Sequence, residues 1–499
     1  MTSSVTTDGG VAPARTDSAA RAVVRERAWT IAVWGAMAGW SALLFTIVRG
    51  SYVNFREGRF DLGNMVQAVW STVHGHPLEV TQSATGEQLV RLGGHVDPFL
   101  ALLAPLWIAW PSPLVLGLAQ VVIVALGALP VFWLGRRHLG SETAAGILAF
   151  AYLAYPWTAT SAAASIHPVT FAIPFLLFCI WFLDTDRLVP FAVFAALAMS
   201  TGELIGLPIA ALGIWYALAR RRRWAGAAIT VLGLAWTAIA ISVIVPAFSG
   251  DDSVFFGFYD EVGGSPAGVV KKLFTDPGVV LSALIEPQDM AYVFLLGLPL
   301  LFLFVLSPGL AAVALPQLLA SGLSDFRSMT DPRYHSVAAI IPFFMAATVL
   351  GIARIGAPRR PLVSSAVLLC SAMLAFVVAP WPRVLGMAPL GGRETLSDAH
   401  VRALADAVAL VPSGAPVTTS NPAGGHLSGR RYVYTVPLLG KAEWVVIDLD
   451  DPWVTSVASP ILTRHPKVVR RFARQLESDS TWTKVFERNR VLVFRKAAA

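Results

Sequence analysis

The sequence predicts a mainly α, polytopic transmembrane helix bundle of about eleven spans, followed by a C-terminal extracytoplasmic α/β domain. Composition is the first observation behind this: 55% of the 499 residues are hydrophobic, only 14% are charged, and mean hydropathy is +0.63. A soluble domain carries roughly 25% charged residues, so most of this chain must face lipid or a helix bundle. The second is patterning, since apolar stretches recur from residue 28 to about 380 and arginine runs at 136–137, 220–223 and 359–360 border them. The third is a change from about residue 382 to the composition of a soluble domain. A net charge of +7 does not imply nucleic acid here, because arginines in short runs beside apolar segments are orientation charges. Cys179 and Cys370 lie in separate apolar segments, so neither a disulfide nor a zinc pattern is expected.

Residues 1–27 begin rich in Ser, Thr, Ala and Gly without an apolar period and are expected to form a disordered cytoplasmic tail. Residues 28–48 are longer than a signal-peptide core and read as a retained anchor, oriented outward by Arg21, Arg25 and Arg27. The transmembrane domain is placed at 28–381, with a first outer loop at 49–113. Within that loop the apolar piece 99–110 gives only about 18 Å of helix against about 30 Å of hydrocarbon, so it should lie along the interface. Segment 114–134 returns to Arg136, Arg137 and His138, 143–163 leaves, and 169–183 comes back. A short pair, 188–200 and 204–219, meets at Thr201-Gly202-Glu203 and ends inside at Arg220 to Arg223. Segment 224–245 exits into a polar outer loop at 247–290. A hairpin, 292–306 and 310–323, breaks at Ser307-Pro308-Gly309; 336–353 reaches Arg354, Arg359 and Arg360; 362–379 makes the last exit. In the tail, 382–499, Ser397 caps a helix to about Val411, strands are expected at 416–419, 432–435, 444–448 and 491–494, and a helix at 468–476. With no GxGxxG and no P-loop, nothing predicts nucleotide binding.

Ionisable residues gather on one side of the topology that the apolar segments and arginine runs define. Asp61, in FDLGNMVQAVW beyond the first span, suits a general base at a membrane surface and equally a helix N-cap. In LGGHVDP, His95 and Asp97 follow two glycines that allow close backbone approach to a metal or a phosphate, although a plain loop explains them too. His167 opens a span before Pro168, where an ionisable group is either functional or bonded to a neighbouring helix. Glu203 has no local basic partner and must find one in Arg333, Arg91, a cation or a substrate amine. Arg327, Arg333, Tyr334 and His335 share an outer loop, where guanidinium groups suit a phosphate and where Asp325 and Asp331 would also hold a simple turn.

The ordered set FDLGNMVQAVW, HGHPLE, GGHVDPFLALLAPL, SPLVLGLAQ, ASIHPV, STGELIGL and DPRYHSVAAIIPF, with SNPAGGHLSGRRYVYTVP in the tail, resembles a bacterial and archaeal membrane protein family, domain of unknown function 2079, over residues 40 to 495. That family is similar in turn to the GT-C superfamily of polytopic glycosyltransferases. The resemblance implies transfer of a sugar from a polyprenyl-phosphate donor to a cell-envelope glycan, lipid or protein acceptor, at the extracytoplasmic face of the plasma membrane. It implies membrane lipids as surroundings and no nucleic acid partner. Asp61 matches the acidic catalytic residue of the first outer loop, and 99–110 a juxtamembrane helix. The donor phosphate would then fall to Arg333 with His335 or Arg91, while Glu203 and His167 would orient the sugar or a cation; His95, Asp97 and Tyr334 complete the substrate-binding set. No metal ligand is assigned, and a divalent cation is the sole cofactor contemplated. Family members often carry Asp-Phe-His-Pro where this chain has Ser165-Ile166-His167-Pro168, and Lys-Glu-Asp where it has Gly202-Glu203-Leu204. A transporter or lipid flippase suits the broken hairpins and Glu203, and a non-catalytic assembly protein is a further alternative.

Overall fold

The structure is a computed structural model that describes residues 14–249, 254–381, 396–456 and 459–497. Among these, four helices are long and apolar enough to cross a membrane: Arg27–Val53, Pro113–Leu139, Arg223–Ser249 and Ala357–Val378. The pair Pro277–Leu284 and Pro287–Leu300, bent by 49°, makes a fifth if counted as one span. Shorter apolar helices, among them Glu142–Ala154, Pro168–Asp184, Leu188–Met199, Glu203–Ala219, Pro308–Gly322 and Ile341–Ala353, contribute most of the buried interior.

Local chemistry sets the breaks between them. Ser112 and Ser141 accept backbone N–H bonds as N-caps, with Pro113 at the first helical position, and Gly140 turns the chain in the left-handed region at φ 61°. Helices Glu203–Ala219 and Arg223–Ser249 meet backbone to backbone at glycines. A Cβ on Gly206 would stand 2.2 Å from the Gly233 carbonyl oxygen, and one on Gly213 would stand 2.6 Å from that of Gly226. Small residues recurring on one face permit this approach.

Three expectations change. The first helix starts at Ala14, inside the stretch expected to be disordered to residue 27; its ARTDSAARAVVRERA run is rich in helix formers, and residues 1–13 lie outside the described residues. The outer loop 247–290 is largely helical where described, with Val254–Val262, Pro266–Thr275 and Pro277–Leu284; Pro266 and Pro277 start the last two, at the first helical position. The helix expected from 292 begins at Pro287.

The first loop is more ordered than its sequence suggested. A wide helical turn, Arg59–Gly63, leads into helix Asn64–Val73 and a hairpin of β1 (Glu79–Thr81) with β2 (Gln88–Val90). The apolar piece expected along the interface is helix Pro98–Ala109, with Leu102, Leu106 and Ile108 exposed.

The tail forms a five-stranded sheet from β3 (Val417–Thr419), β4 (Val433–Thr435), β5 (Trp444–Asp448), β8 (Trp482–Arg488) and β9 (Val491–Lys496), in the order β4-β3-β5-β9-β8. The first three strands in that order run parallel, and β9 and β8 are antiparallel. Alternation divides the core: Val446, Val491 and Val493 pack with Leu404 and Ala407, while Val445, Ile447 and Phe494 pack with Val469, Phe472 and Leu476. Ser397 caps helix Asp398–Ala409 as expected, and helix Pro466–Ser478 matches the second expected helix. Helix Asn421–Leu427, strand β8 and the hairpin between β5 and β8, made of β6 (Trp453–Ser456) and β7 (Ser459–Arg464), were not anticipated.

The α/β domain sits directly on the first loop. Gly424 lets helix Asn421–Leu427 press against Arg59, where a Cβ would meet the Arg59 Cβ at 2.4 Å. The His426 ring stacks between Tyr52 and Phe55, each at 4.0 Å, and its Nε2 lies 3.0 Å from the Tyr52 carbonyl oxygen. Arg59 is fully buried and donates to the side chains of Asn64 and Gln67 and to the carbonyls of Thr81 and Val433.

Candidate active site

Helix ends, rather than helix middles, carry the site. The wide turn at Arg59–Gly63 presents Asp61, and Asn421 from the tail accepts the N–H of Phe60 beside it at 3.2 Å. The Asp61 carboxylate is 43% exposed and lies 3.7 Å from Nε2 of His167. His167 is fixed by its neighbours: its N–H donates to Gln120 Oε1 at 3.1 Å, and its Nδ1 sits 2.9 Å from the Ser165 carbonyl. Gln120 is itself buried in helix Pro113–Ala125 and donates to the carbonyls of Ser161, Ala162 and Ala164, so it staples the chain end that holds His167.

His335 stacks on His167 with ring centroids 4.1 Å apart and 17° between planes, and Tyr334 packs against His335 at 4.0 Å. Burial pushes the His335 imidazole well below its ordinary range, with His167, His95 and Arg91 adding to the effect; burial lowers His167 too, but there the Asp61 carboxylate and the Ser165 carbonyl pull the other way. The shift favours the neutral imidazole, which exchanges hydrogen bonds without supplying charge. Burial raises the Tyr334 phenol to about 12, and the nearby Asp61 carboxylate adds to the shift.

A second group adjoins the first. Glu203 takes the N–H of Val96 at 3.1 Å and lies 3.4 Å from His95 Nδ1. Its junction is held by the Phe99 N–H donating to the Ser200 carbonyl at 2.9 Å and by Thr237 donating to the Glu203 carbonyl at 2.9 Å. Of the partners expected for Glu203, neither Arg91 nor Arg333 meets it, and His95 does. Both arginines are engaged closer to home. Arg91 grips Asp97 through Nε and Nη2, the latter at 2.7 Å, and Arg333 grips Asp331 in the same way, also at 2.7 Å. A carboxylate two or six residues away wins because its geometry is bidentate. Each arginine keeps its Nη1 edge outside the pair.

Asp61, His167, His335 and Tyr334 thus meet, as do His95 and Glu203, and Arg91 with Asp97; Arg333 is drawn to its own turn. The sequence reading missed Glu57, whose carboxylate accepts from the Ser165 hydroxyl and brings a second acid to the segment that bears His167. It also missed Gln120, although a lone amide inside an apolar span is a signal. Among the described residues, His400, Asp448 and Asp450 in the tail have ligand atoms within 4.8 Å of one another, a spacing that the Asp61 cluster does not share.

The fold and this gathering of polar groups at one end describe a polytopic membrane protein with a candidate site at the ends of its helices. The family described as Predicted membrane protein (DUF2079) matches residues 51–493, and the chain belongs to that family. Among solved structures, the crystal structure of ArnT from Cupriavidus metallidurans bound to undecaprenyl phosphate is similar over 93% of this chain and 98% of that one. The TM-score is 0.51 at 11% identity, a likeness of fold alone. Comparison with curated proteins gives no match.

Proposed function

We propose that this protein is a GT-C-like glycosyltransferase that moves a sugar from a polyprenyl-phosphate donor to an acceptor hydroxyl on the extracytoplasmic side of the membrane. The observation that carries the reading is Asp61, a part-exposed carboxylate against the stacked imidazoles of His167 and His335, in a fold similar to that of ArnT bound to undecaprenyl phosphate. The acceptor oxygen attacks the anomeric carbon, Asp61 takes its proton, and the bond from that carbon to the phosphate oxygen breaks with its electrons staying on the lipid phosphate. His167, held by its hydrogen bonds, positions Asp61 and the sugar. The free Nη1 edges of Arg91 and Arg333 are suited to the leaving phosphate, and Glu203 with His95 to sugar hydroxyls. The tail, resting on the turn that bears Asp61, would hold the acceptor. Orientation rests on the arginine runs: Arg136, Arg137, Arg220, Arg222, Arg354 and Arg360 gather at the end opposite Asp61, which the positive-inside rule assigns to the cytoplasm.

The test is to incubate the purified full-length protein in liposomes with a panel of radiolabelled polyprenyl-phosphate sugars and envelope extract. Label leaving the lipid with wild type supports transfer. Tight donor binding with flux across the membrane and no release of label would support a flippase instead.

A further inference from the structure

Three helices run from the Asp61 cluster to the opposite end of the bundle. One passes from His167 to Asp184, a second from Glu203 to Arg220, and a third from His335 to Arg354. Each covers roughly 25 Å at 1.5 Å per residue. At their far ends they surround a cavity of about 660 Å³, lined by Asp184, Arg220 and Arg354 and walled by apolar groups including Trp215, Leu218 and Leu310.

We propose that this cavity binds an anionic glycerophospholipid from the leaflet opposite the Asp61 site. Charge is the first argument. Asp184 is the one carboxylate in the lining, and it is shared by Arg137 and His138, both at 2.9 Å, and by Arg220 at 3.7 Å. Arg354 also lines the cavity and meets a neutral partner, the Leu306 carbonyl. The lining therefore holds two guanidinium groups, Arg220 and Arg354, against one carboxylate, Asp184. Shape is the second argument. Leu218 is 76% exposed and Ile214 52% exposed, so the apolar wall opens sideways onto the lipid-facing surface of the bundle. A headgroup with net negative charge balances the arginines while its acyl chains run along Ile214 and Leu218. A zwitterionic lipid brings its own ammonium and gains less. Basic pockets between transmembrane helices on the cytoplasmic side recognise anionic headgroups in this manner.

The experiment places the full-length protein in nanodiscs of phosphatidylcholine doped with phosphatidylglycerol and counts retained lipids by native mass spectrometry. Wild type should retain phosphatidylglycerol over phosphatidylcholine. Arg354→Gln should weaken that retention about fivefold, the worth of one arginine at a charged surface. Ala211→Phe, which fills the cavity with every charge in place, should abolish the preference, and it separates lipid loss from misfolding because its melting temperature is read in the same lipid. Equal retention by wild type and Ala211→Phe overturns the proposal, as does a wild type without headgroup preference. Displacement by undecaprenyl phosphate but not by phosphatidylglycerol overturns it too, by assigning the cavity to the carrier lipid.

Discussion

Asp61 and Asp184 stand at opposite ends of the same bundle and are treated in opposite ways. Asp184 is 4% exposed and saturated by Arg137, His138 and Arg220. Asp61 is 43% exposed and meets a single imidazole at 3.7 Å. A carboxylate that anchors helix ends gains by using all of its acceptor capacity. One that must take a proton from an incoming hydroxyl needs capacity in reserve, beside groups that do not neutralise it. On the proposed function, the contrast places the chemistry where polar groups are gathered and left unfinished, not where charge density is highest.

Several substitutions break or sharpen that contrast. The largest expected loss of stability comes from Arg59→Ala, which removes the buried donor shared by Gln67 and the Thr81 and Val433 carbonyls between first loop and tail; it should cost roughly 2–4 kcal/mol in thermal or denaturant unfolding of the purified protein. Asp184→Asn should cost about 1–3 kcal/mol by the same measurement while sugar release per folded molecule stays at the wild-type rate, the signature of an anchoring group.

A pH effect at the tail comes next. Burial pushes His426 from the ordinary 6.5 down to about 4. The unfolded chain then binds more protons than the folded one in this window, so this contribution is complete above pH 6.5 and is lost as pH falls towards 4, about 3 kcal/mol in all. Buried Asp451, raised to about 7, acts with the opposite sign because its folded form holds the proton. Comparison with His426→Phe, which keeps the stacking on Tyr52 and Phe55, removes that background; wild type should lose stability relative to the variant as pH falls from 6.5 to 4. The smallest effect belongs to Arg222→Ala. Its pair with Asp186 is exposed, so neither melting temperature nor sugar release should change measurably.

Much of the architecture was legible because lipid imposes long apolar runs and arginines mark one side. The convergence of His167, Glu203 and His335 on Asp61's end followed from those two rules, and Ser397 and the alternating strands disclosed the tail. Pairing within the site was less accessible. Arg333 reads as a phosphate ligand from its loop, yet Asp331 lies close enough to claim it bidentately, as the simple-turn alternative required. Glu203 could not announce His95, which arrives from a loop over a hundred residues away. Arg59 looks like a solvated loop residue in sequence, and only the tail carbonyl of Val433 and the close approach at Gly424 make it a buried clamp. Glu57 was hidden because its partner, Ser165, is uncharged.

The most direct test of the central claim measures donor binding and sugar release side by side for wild type and Asp61→Asn. The account predicts equal binding of a polyprenyl-phosphate sugar and release at least about a hundredfold slower in the variant, the usual worth of a general base. Release by Asp61→Asn at the wild-type rate would contradict it.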